Sequence, residues 1–271
     1  MSKASLIIPF IKLLISQPSV VLKSLFHTVN KYQAKQRVIK SGWSKGLPQI
    51  DLLDFCPDLN ETIEPATLLY GTSMPIDFVL LQALVKQYQG HCDFFEIGTW
   101  RGESMAVVSP NCSTVTSLSL GNKDMEALGW GGQFLNMQRM FSNKLNNAKH
   151  IEGNSRTFDF TTLNKKFDVI FVDGDHSYEG VKNDTEKVYP LLKDEHSVII
   201  WHDYVSNYEH IDYEVFAGII DGSTPEQQKH IYHISNTYCA IYTRKSYPFK
   251  TIEYPSVPDK KFRITISGER I

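Results

Sequence analysis

The first fifty residues contain no aspartate or glutamate, although eight of the chain's 28 basic residues fall there: Lys3, Lys12, Lys23, Lys31, Lys35, Arg37, Lys40 and Lys45. The rest of the chain holds the other 20 basic residues against all 30 acidic ones. This split describes a basic arm joined to an acidic body, and the near-neutral total of −2 hides it. An acidic body gives no footprint for nucleic acid, so none is expected as a partner. Cysteine is scarce and scattered at Cys56, Cys92, Cys112 and Cys239, with no C-x-x-C pair. That spacing excludes the common zinc sites and a disulfide framework, and fits a reducing cytoplasm.

No run of about 20 uninterrupted apolar residues is present, so no spanning helix is expected. The apolar stretches 6–15 and 20–26 are broken by Pro9, Lys12, Pro18 and Lys23. Lys12 also splits what would be a signal-peptide core, and no small-x-small cleavage site follows it. Two readings of the arm remain. Its helices pack on the body or on a second copy of the chain, the reading we favour because apolar helical stretches usually join a core. Alternatively, residues 1–26 make a peripheral contact with anionic lipid.

The chain is 271 residues long, enough for one large core with a small appendage, and it shows no internal repeat. Residues 41–72 are rich in Gly, Pro, Asp and Asn and read as irregular connection. A helix is expected from Pro75, with Asp77 in its first turn and Gly90 as its stop. Strands and helices then alternate: strands at 93–97, 114–120, 150–152, 167–172 and 197–201, helices at about 102–109, 133–147 and 178–192. Segments 231–234 and 238–242 read as a closing antiparallel hairpin. The pattern predicts an α/β fold, a doubly wound and mostly parallel sheet of the Rossmann-like kind. Three regions follow: a helical arm and connection over 1–72, a ligand-binding domain over 73–245, and an extension over 246–271.

Ligands of such sheets bind beyond the carboxyl ends of the strands, and three motifs sit at such ends. In Phe94-Phe-Glu-Ile-Gly-Thr-Trp-Arg-Gly102 a strand runs into Glu96, then Gly98 and Thr99, with Gly102 opening a helix. Gly98 permits a tight turn and close approach of the backbone to a ligand. In Phe167-Asp-Val-Ile-Phe-Val-Asp-Gly-Asp-His-Ser177, an apolar strand delivers Asp173, Asp175 and His176 to one point. Carboxylates and an imidazole gathered there are costly unless they bind something, although Asp175 or Ser177 also suits a helix cap. In Ser197-Val-Ile-Ile-Trp-His-Asp-Tyr204, a second apolar strand ends in His202 and Asp203. If the two strands are neighbours, Asp173, His202 and Asp203 form a donor set for a hard or borderline divalent cation, Mg²⁺ foremost.

Taken together the three segments resemble the class I S-adenosylmethionine-dependent methyltransferases, especially the bacterial cephalosporin-hydroxylase-like and macrocin O-methyltransferase-like group. The resemblance spans roughly residues 75–244. It implies a seven-stranded sheet and an O-methyltransferase acting on a hydroxyl of a small molecule or glycan. It implies that Glu96, Gly98, Thr99 and Gly102 line the methionine and ribose end of the cofactor, with Asp173 close by, and that Gly153-Asn154-Ser155 lies near the adenine. By analogy with metal-dependent members, Asp173, His202 and Asp203 would hold the cation and His176 would serve as catalytic base.

Two positions depart from the pattern. The ribose-binding acid at the end of the second strand is replaced by Ser119, and the adenine-side acid by Asn154. These departures motivate an alternative reading, a non-catalytic binding or scaffold protein on the same fold. A nicotinamide-dependent oxidoreductase fits less well, because the third glycine of its turn is missing. The loop 121–132 with Trp130, and the segment 204–225 with Tyr208, His210, Tyr213 and Phe216, are the expected acceptor-side elements.

Overall fold

The structure is a computed structural model describing residues 7–207, 209–251 and 253–270. Helix α1 (Ile7–Ser16) stops before Pro18, which cannot continue its hydrogen-bond ladder and instead opens α2 (Pro18–Lys40); the two helices are bent by 112°. Strand β1 (Gln49–Ile50) and the short helix α3 (Leu52–Phe55) follow, α3 being capped by Asp51, whose carboxylate accepts from Leu53 N at 2.9 Å. Next come α4 (Pro75–Lys86), β2 (Cys92–Ile97), α5 (Glu103–Val108), β3 (Cys112–Ser119), α6 (Asn122–Ala127), α7 (Gln133–Asn136) and β4 (Ala148–Glu152). Strand β5 (Val169–Val172), α8 (Tyr178–Val188) and β6 (Val198–Trp201) carry the two acid–histidine motifs. A small hairpin of β7 (Val205–Asn207) and β8 (His210–Ile211) leads to α9 (Tyr213–Asp221), α10 (Pro225–Gln228), β9 (Ile231–Ile234) and β10 (Ala240–Tyr242).

The main sheet has the order β1-β9-β10-β6-β5-β2-β3-β4. All neighbours are parallel except β10, which is antiparallel to both β9 and β6. This is the expected Rossmann-like sheet with its closing hairpin, but it has eight strands where seven were expected. The extra strand comes from the segment expected to be irregular. Its two residues pair with His233 and Ile234, and the neighbouring Leu47, Ile50 and Leu52 are fully buried. Two residues are too short to show an alternation of apolar and polar positions, so composition misled.

Strands β5 and β6 are buried along their whole length, as Val-Ile-Phe-Val and Val-Ile-Ile-Trp require. One apolar core lies between the sheet and α2, α8 and α9; the other lies between the opposite face and α3, α4 and α5. Burial of this kind contributes about 1.5–3 kcal/mol for each large side chain and holds the strand ends in register.

The long helix expected over 133–147 is only the single turn α7. Beyond it the backbone amides of Arg139 and Phe141 donate to the carbonyls of Trp100 (2.5 Å) and Arg101 (2.9 Å), and Arg139 adopts φ +59°. Those bonds tie the segment across the loop after β2, and a helical ladder is lost in exchange. Helix α9 was not anticipated, and it takes Phe216 into the core against Tyr204 and Trp43, away from any acceptor. Of the other acceptor-side candidates, Trp130 is exposed, His210 is exposed and bonded to Asn207, and Tyr208 lies outside the described residues.

The second half of α2 packs on the body beside α9, whereas α1 does not. No residue of α1 is buried, and only Val21, Ala34 and Val38 of α2 are. Residues 1–6 lie outside the described residues.

Candidate active site

Ile97, Val172 and Trp201 are register partners on β2, β5 and β6. The residues that follow them, Gly98, Asp173 and His202, therefore leave three adjacent strands at one level. The ladder persists one step further: Asp173 N donates to Ile97 O at 2.9 Å, and His202 N to Val172 O at 3.0 Å. Gly98, at φ +104°, lies so close to the Asp173 carbonyl that a Cβ would sit 2.0 Å from its oxygen. Only glycine fits there. Gly102, at φ +82°, is confined in the same way by Ser142.

Four side chains converge beyond these ends. His176 Nε2 lies 3.3 Å from Asp173 Oδ1, and its Nδ1 lies 3.1 Å from Asp203 Oδ2. His202 Nδ1 lies 3.1 Å from both Asp173 Oδ1 and Asp203 Oδ1. Asp203 sits at φ +55°, a left-handed turn that aspartate tolerates better than most residues and that turns its carboxylate back over both rings. The structure thus brings Asp173, His176, His202 and Asp203, the four residues singled out in the motifs, into one group.

A fifth member lies outside those motifs. Asp77, fully buried in the first turn of α4, holds His202 Nε2 at 3.1 Å through Oδ2 and accepts from Tyr238 N at 2.8 Å through Oδ1. An acid in a first helical turn is ordinary, so the sequence shows the cap and not this second role.

The electrostatics follow from this crowding. Burial alone would raise the Asp173 carboxyl, but the charge on His202 and hydrogen bonds from both histidines outweigh it and hold it well below the usual carboxylate range. Burial would lower His176, yet Asp173 and Asp203 raise it to about 9. His202 is raised well above its ordinary value, burial being overcome by Asp173, Asp203 and Asp77. Even with both rings protonated, three carboxylates face two imidazolium charges and leave a negative excess.

The donor set fits a divalent cation. Ligand atoms of Asp173, His176 and Asp203 all lie within 4.8 Å of one another. His202 adds a specific sign. Asp77 faces its Nε2 at 3.1 Å, and its buried Nδ1 faces Asp173 and Asp203, each at 3.1 Å. A cation held by Asp173 and Asp203 would displace the proton from Nδ1, and Asp77 at Nε2 would then stand as the outer carboxylate of a metal-ligating histidine.

The cofactor-side positions are more mixed. Glu96 is buried and turned inward, accepting from Thr99 Oγ1 at 2.5 Å and from the Ser104 hydroxyl. Burial pushes its carboxyl up to about 7, the two hydroxyls pulling the other way. It and Thr99 stiffen the glycine turn from behind. Asn154 Oδ1 accepts from Arg156 N at 3.0 Å, closing a turn after β4, and Ser155 bonds the buried Asp184. Ser119 ends β3 opposite Glu152, its register partner on β4. Arg139 spans the two, 3.3 Å from Ser119 Oγ and 3.2 Å from Glu152 Oε1. Gly121 leaves room for the Glu152 carboxylate, since a Cβ there would lie 2.9 Å from Oε2. Neither Arg139 nor Glu152 was picked out from the sequence, because each stands at its post through a cross-strand or cross-loop contact. Trp100, within the glycine turn, stacks on Phe134 at 4.2 Å, and Trp130 meets Phe134 edge-on at 4.4 Å.

Residues 95–204, fewer than half of the chain, match the family model described as a methyltransferase domain. No curated protein matches the chain. Among solved structures, an O-methyltransferase from Bacillus cereus in complex with SAH is similar at 19% identity and TM-score 0.44, covering 71% of this chain and 87% of that one. A putative caffeoyl-CoA O-methyltransferase from Staphylococcus aureus is similar at 19% identity and TM-score 0.46, covering 71% and 97%. For the YcgJ protein of Bacillus subtilis the values are 15% and 0.32, and the chain spans only 48% of that protein's length. All three scores are below 0.5, so the family model and the strand-end geometry carry the assignment. Residues 95–204, which hold the whole strand-end cluster apart from Asp77, are thus similar to a methyltransferase domain.

Proposed function

We propose that the protein transfers a methyl group from S-adenosylmethionine to a hydroxyl of a small molecule or glycan, with a divalent cation at the acid–histidine cluster. The observation that carries this reading is the convergence of Gly98, Asp173, His202, Asp203 and His176 at adjacent strand ends inside a methyltransferase domain. Asp173, Asp203 and the Nδ1 of His202 would hold the cation, with His176 at the exposed rim. Two carboxylates suit Mg²⁺ or Mn²⁺, and imidazole ligation favours Mn²⁺ of the two. Such a cation would lower the pKa of an acceptor hydroxyl and offset the carboxylate charge that now raises His176.

His176 is the group we assign to take the acceptor's proton, being the half-exposed member of the cluster. Asp77 and Phe171 fix the plane of His202 from behind, so the cluster keeps its shape while substrates exchange. The cofactor supplies an electrophilic methyl group, and the chain contributes alignment of oxygen and methyl. Glu152, steered by Arg139, would take the place of the ribose-binding acid that Ser119 cannot supply. The faces of Trp100, Phe134 and Trp130 beside the glycine turn suit a sugar or phenol ring.

Isothermal titration with S-adenosylmethionine tests the reading directly. Binding is expected for the wild type, a loss of about tenfold or more for Glu152→Ala, and recovery when Ser119→Asp is added. An absence of heat with the wild-type protein would sink the functional reading. Unchanged affinity in Glu152→Ala would remove only the role given to Glu152.

A further inference from the structure

We propose that α1 and the first half of α2 attach the protein to the surface of an anionic lipid bilayer, with the strand ends of the active site on the side facing it. The inference goes beyond methyl transfer and does not depend on it. Helix α1 has no buried residue: Ile8 is 67% exposed, Phe10 51% and Ile15 77%. Leu22, Leu25 and Phe26 extend the exposed apolar surface along α2. An exposed helix with a broad apolar face and Lys12 and Ser16 together on the other side suits a lipid interface.

Length and charge define the kind of membrane contact. Ten residues at about 1.5 Å each give roughly 15 Å, about half of a hydrocarbon core of about 30 Å, so α1 fits within one leaflet. No helix among the described residues is long and apolar enough to cross by itself. Lys12 and Lys23 have no carboxylate partner among the described residues, and no acid lies within the first fifty positions. Their long stems let the ammonium groups reach lipid phosphates while the chain beneath stays apolar. The acidic body gives no attraction of its own, so the arm supplies both the apolar and the electrostatic contribution.

The direction follows from how α2 docks. Lys31 pairs with Asp212 at 3.4 Å, His27 with Glu214 at 3.8 Å, and Arg37 with Asp221 at 3.5 Å. Helix α2 thus runs beside α9 in roughly the same sense, and residues 7–26 extend past the first turn of α9. That turn follows the β7–β8 hairpin, which leaves the carboxyl end of β6 directly after Asp203. The arm therefore projects from the edge of the sheet that bears the site.

Vesicle flotation of the full-length protein tests the proposal without cofactor. Binding to phosphatidylcholine vesicles containing phosphatidylglycerol is expected, at least about tenfold above binding to phosphatidylcholine alone. The double variant Ile11→Glu, Leu14→Glu should lose that binding at an unchanged melting temperature, since both positions are exposed. The pair Lys12→Glu, Lys23→Glu should lose the preference for anionic vesicles. Wild-type protein that stays unbound, or variants that float as the wild type does, would overturn the proposal. So would a lipid-free dimer that the Ile11→Glu, Leu14→Glu change splits, which would give the surface to a second copy.

Discussion

Each nitrogen of His202 has a different neighbour, and with a cation at Nδ1 it is Asp77 that would keep the remaining proton on Nε2. Replacing Asp77 with asparagine keeps the shape but lets the amide offer either a donor or an acceptor to Nε2, so the ring loses its fixed tautomer. Affinity for Mn²⁺ is expected to fall about 10–100-fold in isothermal titration of Asp77→Asn, with a loss of about 1–3 kcal/mol in urea unfolding. Glu96 makes a prediction in pH. Its carboxyl is raised from 4.5 to about 7 by burial, so its contribution to stability is complete below about 4.5 and is lost as pH rises through about 7. Wild type should therefore lose up to about 3 kcal/mol relative to Glu96→Gln between those limits, read as diverging urea midpoints. A gap between the two that stays constant with pH would refute the burial argument. These residues also mark what was legible. Asp173, His176, His202 and Asp203 stand out because each pair directly ends an apolar strand. Asp77 is 125 positions from His202, and no spacing rule connects them.

At the scale of elements, strand–helix alternation was readable wherever a strand is buried on both faces, as β5 and β6 are. It failed where tertiary bonds replaced local ones, at β1 and after α7. Helix α9 connects both halves of the molecule: its glycines meet α8, and its acidic residues hold α2. A Cβ on Gly218 would lie 2.7 Å from Val181 Cβ and 2.9 Å from the Tyr178 carbonyl. Gly218→Ala should therefore force α8 and α9 apart and cost about 1–3 kcal/mol in urea unfolding. A change within about 0.5 kcal/mol would mean that the two helices separate freely. Because Tyr178 opens α8 immediately after His176 and Ser177, the same variant should also weaken cation binding.

For the whole molecule, the structure separates a compact body from the projecting residues 7–26, and the charge count divides the chain into a basic arm and an acidic body. Limited trypsin digestion should cut first after Lys12 and Lys23, where the backbone is exposed, and leave a body that keeps its melting transition. Anionic vesicles should slow both cuts; equal rates with and without them would count against lipid contact. Because the first fifty residues carry eight cations and no acid while the rest of the chain carries an excess of ten acids, charge is divided unevenly between arm and body and gives the protein a dipole. Near a negative surface that dipole produces a torque before any contact is made. The arm is drawn down and the acidic bulk held off, so the protein arrives in one orientation and stands on its helices like a buoy on a short chain.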